Sequence, residues 1–132
     1  MTKTNAQDIA FRTIYNEAHR LGMEAANSHN CTPMVVQQHA NPLNDNSPVQ
    51  RQWVVPQGVC GFAWVSIRPG NSPFANWLKK NNLARKAYEG GVQIWVSYFN
   101  QSMELKEAYA YAFANYLRNT HGIKAYSNSR MD

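Results

Sequence analysis

Hydrophobic positions change period several times between Val59 and Tyr126. Val59-Cys60-Gly61-Phe62-Ala63-Trp64-Val65-Ser66-Ile67 is apolar on both alternating sets of positions, and so is most of Val92-Gln93-Ile94-Trp95-Val96-Ser97-Tyr98-Phe99. Runs of that kind predict strands inside a sheet with cover on each face. Between them Ser72-Pro73 supplies an N-cap and a proline at the first helical position, followed by Phe74, Trp77 and Leu78 at helical spacing. After Phe99, Ser102 caps a helix with the stripe Leu105, Tyr109, Ala112, Phe113, Tyr116 and Leu117, and Gly122 stops it. Ile123-Lys124-Ala125-Tyr126 predicts a last strand. Val92–Tyr126 is long enough for a right-handed crossover between parallel strands.

Upstream, Thr4 and Gln7 match a capping box. Phe11, Ile14, Ala18, Leu21 and Ala25 then share a face of a helix ending near Asn27. Pro33–Gln37 predicts a short strand. From His39 to Gln52 the period vanishes into Asn, Asp, Ser and Pro, the chemistry of a long polar loop. Gln52–Val55 and the run from Val59 flank Pro56-Gln57-Gly58, a hairpin signal. The expectation is one α+β domain in two layers: an N-terminal helix over 1–30, a loop over 39–52 and a sheet-helix core over 53–127. Three helices pack on a central mixed sheet of about four to five strands. Trp64, Ile94, Phe113 and Tyr116 are expected to be largely buried.

Composition narrows the functions. The chain has 132 residues, 44% hydrophobic and only 16% charged. Its polar surface therefore leans on Asn, Gln and Ser, which leaves room for a homo-oligomer or a covered face. Lys and Arg exceed Asp and Glu, 13 to 8, and the pI is near 9.4. That balance suits an anionic partner, with nucleic acid as one candidate. Two cysteines, no opening signal segment and no apolar run of spanning length predict a cytoplasmic protein with no membrane partner.

No phosphate loop, nucleophile elbow or zincin motif is present. The four histidines lack metal-ligand spacing, so neither a metal nor a cofactor is expected. Cys60 with His39 is the one pair that could make a thiol nucleophile and its base; the competing reading buries Cys60 in the core. Lys79, Lys80, Arg85 and Lys86, with Tyr88 and Trp77, form the basic-aromatic candidate for phosphate and bases. Asn41, Asn44 and Asn46 offer neutral donors and acceptors on the loop, and Arg130 is a fork-shaped anchor in the tail.

The segments Asn41-Pro42-Leu43, Gly58–Val65, Tyr88–Val96, Asn100-Gln101-Ser102-Met103-Glu104 and Ser129-Arg130-Met131-Asp132 together resemble a group of small tailed-bacteriophage proteins of unassigned function. The resemblance implies an accessory protein working in the host cytoplasm, or a minor virion component. It brings no functional residue with it. The leading expectation is a non-enzymatic protein that binds a host or bacterial defence protein, possibly one that handles nucleic acid. Direct binding of DNA or RNA and a small cysteine-dependent enzyme are the alternatives.

Overall fold

A computed structural model describes residues 3–29, 34–39, 49–55, 59–99 and 102–131, with side chains over 6–29, 59–99 and 102–131. Its elements run α1 (Lys3–Asn27), β1 (Met34–His39), β2 (Val49–Val55), β3 (Gly61–Arg68), α2 (Pro73–Lys80), β4 (Arg85–Lys86), β5 (Val92–Trp95), α3 (Met103–His121) and β6 (Lys124–Met131). A four-stranded sheet has the order β4-β5-β3-β6, and β1 and β2 form a separate hairpin. The three expected helices and the single-domain α+β arrangement are present.

Local chemistry explains the helix ends. The hydroxyl of Ser72 accepts from Ala75 N–H at 3.2 Å and Pro73 opens α2. The hydroxyl of Ser102 accepts from Leu105 N–H at 3.4 Å, and Gly122 closes α3 in the left-handed region at φ 65°. In both cases a side-chain oxygen satisfies a helix N–H that has no partner within the helix. Thr4, by contrast, falls inside α1, which begins at Lys3.

The pairing corrects four expectations. Every pairing in the sheet is antiparallel, so the sheet is not mixed by neighbours. β5 and β6 do run parallel to each other, joined by α3, but β3 lies between them. The resulting β-α-β-β-α-β order from β3 to β6 is the split, ferredoxin-like topology. Second, β2 pairs with β1, Met34 opposite Val55, rather than making a hairpin with β3. Third, the expected loop over 39–52 is strand at both ends: His39 closes β1 and Val49–Gln52 opens β2. Fourth, β5 ends at Trp95; Val96 N–H still reaches Ala63 carbonyl, and Phe99 at φ 69° then turns the chain away.

The helices cover one face of the sheet. On β3 the alternate residues Ala63, Val65 and Ile67 are fully buried, and they meet Phe74, Leu78, Phe113 and Leu117 in one core. Ile94 and Phe113 are buried as expected. Trp64 and Tyr116 are only partly so, because Trp64 belongs to the other face of β3 and Tyr116 to the flank of α3. Helix α1 lies against α3 along a seam of small residues, Ala18, Gly22 and Ala26, instead of a seam through Leu21 and Ala25. A Cβ on Gly22 would stand 2.7 Å from the Tyr109 ring. Among the described residues no helix is long and apolar enough to cross a membrane.

Candidate functional site

The face of the sheet away from the helices is where the unusual side chains gather. Strand alternation places Phe62, Trp64 and Ser66 of β3 there, together with Gln93 and Trp95 of β5 and Asn128 and Arg130 of β6. Trp64 and Trp95 are direct cross-strand partners, and their rings stack with centroids 4.8 Å apart and planes 24° from parallel. Phe62 meets Trp95 edge-on at 6.1 Å. All three aromatics are partly exposed. The two central strands of the sheet thus present a ring platform.

Guanidinium groups flank it. Arg85, on the edge strand β4, lies 4.6 Å from the centre of the Trp95 ring, and Arg130, on the opposite edge, lies 5.4 Å from that of Phe62. Both geometries are cation–π contacts. Among the described residues neither arginine has a carboxylate partner, whereas Arg12 and Arg20 on α1 pair with Asp8, Glu17 and Glu24. The platform is braced on its own face: Trp95 Nε1 donates to Gln93 Oε1 at 3.0 Å, and Gln93 Nε2 donates to Glu89 at 3.1 Å. Asn128 donates to Ser66 at 2.9 Å on the same face. Beside Trp95 opens a cleft of about 380 Å³, lined by Asn82, Leu83, Ala84, Arg85, Gln93 and Trp95.

The basic-aromatic cluster read from the sequence separates. Lys79 and Lys80 end α2, where cations favour the C-terminal dipole. Arg85 and Lys86 alternate to opposite sides of β4, so only Arg85 joins the ring platform. Trp77 is buried, stacked on Phe74 at 5.9 Å, and its Nε1 donates to Asp8. It has no free face for a ligand, whereas Tyr88 is fully exposed. Arg130 sits in β6, a strand that runs to Met131, well past the expected end at Tyr126.

Cys60 is exposed and free, which overturns its reading as a core residue; it bridges to Ser102 across backbone. His39 closes β1, and Asn41, Asn44 and Asn46 lie outside the described residues. Among the described residues, no group of three metal-ligating side chains stands together. Sequence reasoning assigned Trp64 to the core and did not single out Trp95; the signal that marks them as a pair is the cross-strand register, which the sequence does not carry. Comparison of the chain with protein-family models, with curated proteins and with solved structures finds no match.

Proposed function

We propose that this protein binds single-stranded nucleic acid across the ring platform of its sheet. The carrying observation is the stacked Trp64–Trp95 pair on the two central strands, flanked by Arg85 and Arg130, which have no carboxylate partner among the described residues. Unpaired bases offer π-faces to aromatic side chains and guanidinium planes, each stacked base contributing about 1–3 kcal/mol. Bases within a duplex are already stacked and present only their edges. A guanidinium lying on an indole keeps its N–H groups in its own plane, free to hold phosphate oxygens. The cleft beside Trp95 is bounded by such a group and by the amides of Asn82 and Gln93. The excess of five positive charges supplies general attraction to a polyanion.

In a bacterial host, the ligand would be single-stranded DNA or RNA exposed by the machinery that copies, repairs or degrades it. The accessory-protein reading instead places a host protein on the segment from His39 to Gln52. Fluorescence anisotropy with a labelled mixed-sequence oligonucleotide of about ten nucleotides spans the sheet. Binding at low salt is expected, with duplex of the same sequence weaker. Trp95→Ala should weaken it by about 1–3 kcal/mol while urea unfolding stays cooperative, showing that the variant is folded. Absence of binding at low salt, or a Trp95→Ala variant that binds as tightly as the parent, would sink the proposal.

A further inference from the structure

β6 is the outermost strand of the sheet, so among the described residues one edge of its backbone has no neighbouring strand. Folded chains usually blunt such an edge with a short strand, a proline or a bulge. β4, at the opposite edge, is only two residues long. β6 has eight residues, Lys124–Met131, no proline, and an unbroken register against β3 from Lys124 opposite Arg68 to Met131 opposite Gly61. At its start Arg118 donates to the carbonyl of Ala125 at 2.6 Å. The stretch that remains for a further strand runs from Tyr126 to Met131.

A groove of about 800 Å³ lies beside Ser127, Asn128 and Ser129 of this strand. The end of α1 and the first half of α3 form its other walls, where Ala25, Ala108 and Ala112 leave room beside the exposed Tyr111. A strand set against β6 would send alternate side chains toward the helices and into this space.

The groove is acidic on a basic chain. Glu104 and Glu107 line it and no lysine or arginine does, although cations exceed carboxylates by five in the whole sequence. Glu104 meets His29 at 3.0 Å. Glu107 accepts from the neutral hydroxyl of Ser129 at 2.7 Å and has no ion-pair partner among the described residues. That bond ties its carboxylate to β6 and leaves lone pairs for a cation.

We propose that β6 takes up an extended cationic peptide segment of a partner protein, added to the sheet as a fifth strand. Main-chain bonds along Tyr126–Met131 supply affinity. An arginine or lysine reaching Glu107, with a small apolar neighbour over Ala108 and Ala112, supplies selectivity. The net charge of +5 gives such a segment no general attraction to the chain, so its binding depends on the local pairing.

The probe is a fluorescein-labelled peptide of about eight residues alternating arginine and valine, matched to the length of β6 and titrated by anisotropy against the unmodified protein. It is expected to bind saturably and to slow amide hydrogen exchange within Tyr126–Met131. The same peptide N-methylated throughout its backbone keeps its charge but loses its donors, and should bind about tenfold more weakly or worse. Glu107→Lys should weaken the parent peptide by about fivefold or more while urea unfolding stays cooperative. Equal affinity of the N-methylated peptide, or exchange on β6 that does not slow, overturns the strand addition. Absence of binding, or an unchanged affinity in Glu107→Lys, overturns the site. A dimer of this chain that protects the same amides without peptide would assign the edge to a second copy and equally overturn the proposal. No oligonucleotide enters these titrations, so their failure is distinct from a failure of the ring platform.

Discussion

Gly22 lies in the interior of a 25-residue helix, where alanine is ordinarily the better residue by about 1 kcal/mol. Here the added methyl group would meet the Tyr109 ring at 2.7 Å. That ring cannot step aside easily. It is buried between α1 and α3, packs on Phe113, and its hydroxyl lies 2.6 Å from His19 Nδ1. Overpacking of this kind costs about 1–3 kcal/mol. Gly22→Ala should therefore lower stability despite the gain in helix propensity, and a urea midpoint measures it. Burial also pushes the Tyr109 hydroxyl above its ordinary pKa near 10, with Tyr15 and Tyr98 adding to the effect. The folded chain then holds that proton more tightly than the unfolded chain. Its contribution is present in full below pH 10 and is lost as the pH climbs above it. Stability should fall between about pH 10 and pH 12, and Tyr109→Phe should shallow that fall. Tyr15, raised by the same burial, accounts for part of what remains.

Helix α3 is the element on which most of the core converges, facing the sheet on one side and α1 on the other. Phe113 is fully buried at that junction, edge-on to Tyr15 at 5.5 Å. Phe113→Ala should cost about 3–5 kcal/mol, read as a shift in denaturation midpoint. The limits of this helix were legible in the sequence because Ser102 and Gly122 act through bonds to residues three or four positions away. The same holds for Ser72 and Pro73 at α2. Strand partners were less legible. Pro56-Gln57-Gly58 looks like a turn joining neighbours, yet β2 finds its partner in β1, a choice made by long-range pairing. Alternation sets Phe62 and Trp64 on one face of β3, but alternation does not say whether a face is covered, and Trp64 was expected to be buried. Arg85 and Arg130 were singled out by residue type; Trp64 and Trp95 became visible as a site only when the register put them side by side.

Across the whole molecule, charge is sorted by layer. The carboxylates of α1 are occupied by Arg12 and Arg20, and Arg20 holds the Glu17 carboxyl below its ordinary range. Among the described residues, Arg85 and Arg130 on the sheet side have no such partners. If these two meet phosphates, single-strand affinity should follow salt with a log–log slope of about −0.7 per contact, or about −1.4 for the pair. Arg130→Ala should flatten the slope by about 0.7 and leave the Trp95 contribution in place. An unchanged slope would assign the phosphate contacts to other residues.

Trp64 and Trp95 belong to separate strands, and their indoles come within 4.8 Å only when β3 and β5 pair. Two nearly parallel indoles at that distance share their electronic excitation. The folded chain should therefore show a far-ultraviolet circular-dichroism couplet of paired sign, which neither ring gives alone. Trp64→Phe or Trp95→Phe should each erase it entirely rather than halve it. During refolding it should appear with the closing of the sheet and lag the helical signal. A ligand base sliding against either ring would change the coupling, so the protein reports its own occupancy without any attached dye.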